Sequence, residues 1–422
     1  MSRSSASSDA IFRRTVLPNG LTVLTEFVPG VRSVALGAWV RAASLHEPRD
    51  RMGVSHLLEH MVFKGTERRS AKQVALELEA LGGALDAYTS REHTVYHARV
   101  LDEHLDVACD VVGDVVFRPK LRAADLTLER KVVLEEIAAV ADTPDDLVFE
   151  LHNEALWGSH PYGYSILGTR ETVSALGVAE LRDLHARAYR PPLIVIVVSG
   201  NVDHERLLET LARVGWADVQ AGTDVGLPTK PPRPLPPAQT HVGRPGAQTH
   251  IVLGSTTVPH RDPTRYPLLV LGVLLGGGMS SRLFQRVREE LGLAYSVFSY
   301  QDFHVDIGVH GVYVATAPET ARAALDAIRC ELTEVVERGV PDDEVTAAKG
   351  QLKGQLILSL ESVAARMYRA AAVELYGEPY RTLDESLALV EAVQPADVVE
   401  VARRYFAPDA QTVLSLGPES AH

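Results

Sequence analysis

Gly53-Val54-Ser55-His56-Leu57-Leu58-Glu59-His60-Met61-Val62-Phe63 is the stretch on which this 422-residue chain turns. It is mostly apolar, yet it carries two histidines and a glutamate within five residues. Wound as a helix, it sets His56 and His60 one turn apart on the same face. Two imidazoles at that spacing suit one Zn²⁺, with nitrogen–metal distances of about 2.0–2.1 Å. Glu59 stands beside them, placed to reach a water on the metal rather than the metal itself. The pattern His-x-x-Glu-His is the inverse of the commoner zinc-peptidase signature. The competing reading is a pair of core or surface histidines beside an incidental glutamate. A third ligand elsewhere in the chain decides between the two.

Candidates for that ligand lie in the helical run Asp125-Leu126-Thr127-Leu128-Glu129-Arg130-Lys131-Val132-Val133-Leu134-Glu135-Glu136-Ile137. Glu129 and Glu136 are seven apart, two helical turns, and so share nearly one face. Val132 and Val133 between them suggest that this face packs inward, and a buried acid needs a partner such as a metal. Glu135 reads as solvated. Spacing alone does not choose between Glu129 and Glu136.

The surrounding chain is long enough for two or three domains. Apolar residues make up 46% and charged residues 23%, as in ordinary globular proteins. A net charge of −13 argues against nucleic acid and mildly favours basic or neutral substrates. Cys109 and Cys330 make neither a metal motif nor a disulfide framework and read as buried small hydrophobes. No run approaches the 18 apolar residues of a membrane helix, and Met1 to Phe12 lacks a signal-peptide core. A cytoplasmic location is the expectation.

Strand-like pieces flank Pro18-Asn19-Gly20, a hairpin signal, and Val34 to Ala42 makes a third strand. Ser70 with Gln73 forms a capping box opening a helix that stops at Gly82-Gly83. Leu85 to Ser90 and Thr94 to Leu101 read as antiparallel strands, followed by helices near 103–117, 124–141, 145–157 and 173–189. Leu193 to Ser199 is a continuous apolar run, the mark of a central strand. Five prolines between Lys230 and Ala238 make an extended connector. Beyond it the same order of elements returns, offset by about 210 residues, without a second His-x-x-Glu-His. The expected organisation is an N-terminal zinc-binding domain (1–228), a proline-rich linker (229–242) and a homologous C-terminal domain (243–422). The expected fold class is α+β, two homologous domains each with a mixed sheet packed with helices.

Gly53 to Phe63 continued through Lys64-Gly65-Thr66, with Glu129 and Glu136 downstream, resembles the insulinase-type (pitrilysin) zinc peptidases, in their processing-peptidase-like branch. The resemblance covers essentially the whole chain. It implies zinc held by His56, His60 and Glu136, with Glu59 as general base and Glu129 supporting the site. Ser281-Arg282-Leu283-Phe284 and Arg288-Glu289-Glu290-Leu291-Gly292-Leu293-Ala294-Tyr295 are similar to the family's arginine–tyrosine element. By that match Arg288 and Tyr295 bind substrate carbonyls. From physics alone, Arg288 reads equally as a helix-surface charge and Tyr295 as a strand core residue. The family usually has Asn-Ala on the strand beside the zinc, where the peptide lies; this chain has Leu85-Asp86-Ala87-Tyr88. Asp86 accepts hydrogen bonds but donates none when ionised, which bears on substrate preference.

The resemblance thus implies a zinc metalloendopeptidase with one ion per chain, cleaving oligopeptides or unfolded segments bound as a strand within a clamshell. The alternative is a non-catalytic core or partner subunit of a larger peptidase or respiratory-type complex. Such relatives lose ligands or the arginine–tyrosine element, and both are present here. Pairing is expected, as a homodimer or with an inactive homologue.

Overall fold

The alternating residues around Pro18-Asn19-Gly20 do fold back on themselves: β1 (Phe12–Val16) pairs antiparallel with β2 (Thr22–Phe27). The computed structural model describes residues 12–222, 229 and 231–421. The hairpin opens a six-stranded mixed sheet completed by β3 (Ser33–Val40), β4 (Ala84–Thr89), β5 (Thr94–Leu101) and β6 (Ile194–Gly200), in the order β1-β2-β6-β3-β5-β4. A second sheet contains β7 (Gln239–Gly243), β8 (Thr249–Thr257), β9 (Ala294–Phe303), β10 (Gly308–Thr316) and β11 (Thr412–Gly417), in the order β7-β11-β8-β10-β9. Removing β1 makes the two orders identical strand for strand. The parallel pair β2/β6 matches the parallel pair β7/β11. The internal repeat inferred from the order of elements is therefore a repeat of topology.

β6 is buried along its whole length because both faces of its sheet are covered. Ile194, Ile196 and Val198 join the core beneath the helices Val54–Val62 and Leu105–Phe117. Val195 and Val197 point the other way, onto Val363, Met367 and Ala370 of the helix Val363–Leu375. The second sheet is covered likewise, with Val148 of the helix Pro144–Trp157 against Val252, Tyr313 and Leu414.

Packing sorts the chain into two compact units that do not follow its linear halves. The first draws its described residues from Met1–Ile137, Ser165–Thr229 and Ser359–Tyr380; the second from Ala138–Tyr164, Lys230–Leu358 and Arg381–His422. Each unit thus takes one covering helix from the other half of the sequence. The physical reason is that an apolar sheet face accepts any apolar helix the connections bring to it.

Three expectations need correction. Residues 239–242, placed in the linker, belong to the edge strand β7 (Gln239–Gly243), paired parallel with β11; of the described connector, 229 and 231–238 have no regular structure. The position of Lys230 lies outside the described residues. Cys109 is buried, but Cys330 is exposed. On its helix Ala321–Arg338 the buried stripe runs Ala321, Ala324, Leu325, Ile328, Leu332 and Val335, and Cys330 falls between its positions on the far side. The single helix expected near 173–189 is two, Arg170–Ala175 and Val178–Ala188, divided at Leu176-Gly177.

Candidate metal centre and active site

The helix Val54–Val62 is held by what it buries. Leu57, Leu58 and Met61 have no solvent exposure, and each such side chain contributes roughly 1.5–3 kcal/mol of burial. Their stripe turns the opposite face, with Glu59 and His60, toward the less buried side. The helix starts at Gly53, whose φ of 88° is left-handed. A side chain there would meet the carbonyl oxygen of Leu167 at 2.5 Å, so two chain segments meet backbone to backbone.

The helix Ala123–Asp142 supplies the acid. Glu136 Oε2 lies 3.6 Å from His56 Nε2 and 3.6 Å from His60 Nε2. Donor atoms around a tetrahedral zinc with arms of about 2.0–2.1 Å are about 3.3–3.4 Å apart, so both carboxylate–imidazole separations are close to the required one. Their ligand atoms all lie within 4.8 Å of one another, and among the described residues this is the one such group. Two imidazoles and one carboxylate are the donor set of a catalytic zinc site with room for water. The residues therefore fit the ion.

Glu129 does something different. Its Oε2 is 3.3 Å from His60 Nδ1, and its Oε1 takes Lys64 Nζ at 2.8 Å. That places Glu129 against the ring nitrogen of His60 that faces away from Glu136. Geometry thus separates the two glutamates that spacing left equivalent. Val133 between them is buried as expected, whereas Val132 is about half exposed. Glu135 is exposed.

Glu59 is anchored by Thr89 at the end of β4, whose Oγ1 donates to Glu59 Oε2 at 2.6 Å. Burial raises the Glu59 pKa, against the lowering influence of Thr89 and His60. Burial, reinforced by His60, pulls His56 down to about 4 and keeps it neutral, the form that binds metal. For His60 burial acts in the same sense, but contacts with Glu136, Glu129 and Glu59 outweigh it and its pKa rises. Contact with His60 holds Glu136 below the usual carboxylate range.

β4, carrying Leu85, Asp86, Ala87 and Tyr88, pairs only with β5 among the described strands, so it is the edge of its sheet. Asp86 is exposed, and its Oδ1 accepts the Ala87 amide at 2.8 Å. Arg288 and Tyr295 belong to the second unit. Residues Phe284–Glu290 wind as a π-helix, a form frequent at functional sites. The Arg288 guanidinium sits 4.4 Å from the Tyr295 ring centre and 4.6 Å from that of Phe284. Tyr295 is 78% exposed and so is no core residue. Sequence reasoning missed Thr89 and Lys64 as partners of the site. Their only signal was their place, Thr89 at the end of the edge strand and Lys64 just after the zinc helix.

A family described as "Insulinase (Peptidase family M16)" matches residues 22–170, and one described as "Peptidase M16 inactive domain" matches residues 175–352. The chain belongs to the M16 insulinase family. An uncharacterized zinc protease of Streptomyces coelicolor is 39% identical over 399 residues, covering 93% of this chain and 86% of the relative. Another, from Bacillus subtilis, is 37% identical, covering 94% and 97%. A protease from Helicobacter pylori shares the fold with a TM-score of 0.91 at 21% identity, covering 96% of this chain and 99% of that one. An M16 inactive-domain structure from Pseudomonas fluorescens does so with a TM-score of 0.90 at 22% identity, covering 97% and 98%. With its His56–His60–Glu136 cluster, this M16 chain is a zinc-dependent peptidase. The "inactive" description of its second half agrees with the absence of a second metal-ligating group among the described residues. No helix among them is long and apolar enough to cross a membrane.

Proposed function

We propose that the chain is an endopeptidase for oligopeptides and unfolded segments, with one zinc ion per chain held by His56, His60 and Glu136. The observation that carries this is the convergence of those three donors beside Glu59, a half-buried carboxylate whose raised pKa suits proton transfer. When bound, zinc supplies a Lewis acid that lowers the pKa of water toward 7 and polarises a carbonyl. Glu59 takes the proton of the attacking water and delivers it to the leaving amine, its Oε2 steadied by Thr89. Glu129 keeps His60 in the tautomer that offers Nε2. The free edge of β4 accepts an extended peptide through backbone hydrogen bonds, so side chains are read weakly. Arg288 and Tyr295, by family resemblance, bind substrate carbonyls and stabilise the oxyanion. The exposure of Tyr295 supports a role outside the core.

The deciding experiment compares zinc content and cleavage of a quenched peptide library for the wild type and Glu59→Gln. Retained zinc with cleavage lost by several orders of magnitude is the expected result. Full activity in the variant removes Glu59 as the base. A homodimer in the cytoplasm completes the proposal. Sedimentation of the purified chain and fractionation of cells test those two points.

A further inference from the structure

The two zinc histidines are supported unequally. His60 Nδ1 faces Glu129, but His56 Nδ1 is buried with no hydrogen-bond partner among the described residues. The direction of the His56 ring therefore depends on the backbone of the first helical turn and the packing around it. That turn has no cap of its own, because Gly53 at its start carries no side chain. Its orphan amides are instead taken by one carboxylate from upstream. Glu47 Oε2 accepts the Gly53 amide and Oε1 accepts the Ser55 amide, each at 2.8 Å. Glu47 is only 5% exposed, and each of its carboxylate oxygens accepts one of these backbone amides. A buried carboxylate satisfied by backbone amides at a helix N-terminus is stabilised by the helix dipole and, in return, fixes the pitch of that turn.

We infer that Glu47 is a positioning residue for zinc binding, doing for His56, through the first turn of its helix, what Glu129 does for His60 directly. This rests on His56 being a zinc ligand. The segment that delivers Glu47 is itself braced: the Leu45 amide donates to the Arg91 carbonyl at 2.8 Å, and Thr172 Oγ1 donates to the Met52 carbonyl at 2.8 Å. The carboxylate is thus held at one end by the sheet side of the domain and grips the zinc helix at the other.

Glu47→Gln keeps the volume and one acceptor oxygen but removes the second acceptor and the charge. Zinc affinity, measured by competition with a chromophoric chelator, falls about tenfold, the lower range for loss of an outer supporting group. Amide exchange at Gly53 and Ser55 accelerates in the metal-free protein, and kcat falls more than KM rises. Asp114→Asn is the control for stability alone, since Asp114 is a fully buried carboxylate paired with Thr66 and Arg69. Glu47→Gln binding zinc within twofold of wild type overturns the inference. So does Asp114→Asn losing as much affinity at a matched melting temperature. Should Glu47→Gln not fold, Glu47→Asp, with its shorter reach to the same amides, takes its place under the same criteria. His56→Ala separates the two levels of argument: if it binds zinc normally, the ligand assignment itself fails. If it loses zinc while Glu47→Gln does not, only the role of Glu47 falls.

Discussion

Glu129→Gln is the substitution that asks most of the site. It removes the charge 3.3 Å from His60 Nδ1 and leaves Lys64 Nζ without its 2.8 Å carboxylate partner. The Lys64 side chain is 35% exposed, so losing that pair costs at most about 1 kcal/mol of stability. The larger effect is on zinc. An imidazole whose outer carboxylate is removed holds its metal about 10- to 100-fold more weakly, or roughly 1.4–2.7 kcal/mol. Glu136→Gln removes a donor oxygen that lies 3.6 Å from both Nε2 atoms, and its loss must be larger. Zinc dissociation constants from chelator competition at pH 7.5 rank the variants as wild type, then Glu129→Gln, then Glu136→Gln. Melting curves with and without zinc add an independent reading, since a ligand that binds only the folded state raises its stability by mass action. Equal losses in the two variants, or the reverse order, would refute the division of roles between the two acids. No change in Glu129→Gln would reduce Glu129 to a surface partner of Lys64.

Three other outcomes follow from named contacts. His152 is fully buried, its Nε2 donating to the Thr412 carbonyl at 3.1 Å, and burial pulls its pKa from 6.5 to about 4. Between those values the unfolded chain holds the extra proton, so stability falls as pH drops through the window and levels off below it. The slope reaches about 1.4 kcal/mol per pH unit. His152→Gln keeps a donor without the titration, and its urea midpoint moves less between pH 7 and pH 5; an unchanged acid loss counts against the mechanism. Tyr295→Phe lowers kcat about a hundredfold with zinc affinity intact if the hydroxyl serves the oxyanion, and a preserved kcat excludes that role. Asp86→Asn changes the residue preferred at one position of a peptide library without altering zinc content, and identical profiles show that the edge-strand carboxylate reads nothing.

Much of the architecture was legible because it is local. The turn at Pro18-Asn19-Gly20, the Ser70–Gln73 capping box and the all-apolar strand Ile194–Gly200 each announce themselves within a few residues. The strand β7 was hidden behind prolines, although the repeat itself held the clue: its counterpart in the first half is β2. Cys330 was misplaced because a helical run shows its period before it shows which face is inside. The helical pattern near 145–157 says nothing of its partner: the helix Pro144–Trp157 covers the sheet of the second half, and Val363–Leu375 that of the first.

The sequence by itself determined the helix that carries His56, Glu59 and His60, their spacing along it, and the sharing of one helical face by Glu129 and Glu136. Those follow from 3.6 residues per turn and need no partner. Only the tertiary structure decided that Glu136 lies 3.6 Å from both Nε2 atoms while Glu129 faces Nδ1 of His60, and that Thr89 and Glu47 hydrogen-bond to this helix and its N-terminal cap. Two acids on one helical face differ only in how far along the neighbouring helix each arrives. That distance is set by how the helices Val54–Val62 and Ala123–Asp142 dock, a matter of side-chain packing between segments some eighty positions apart.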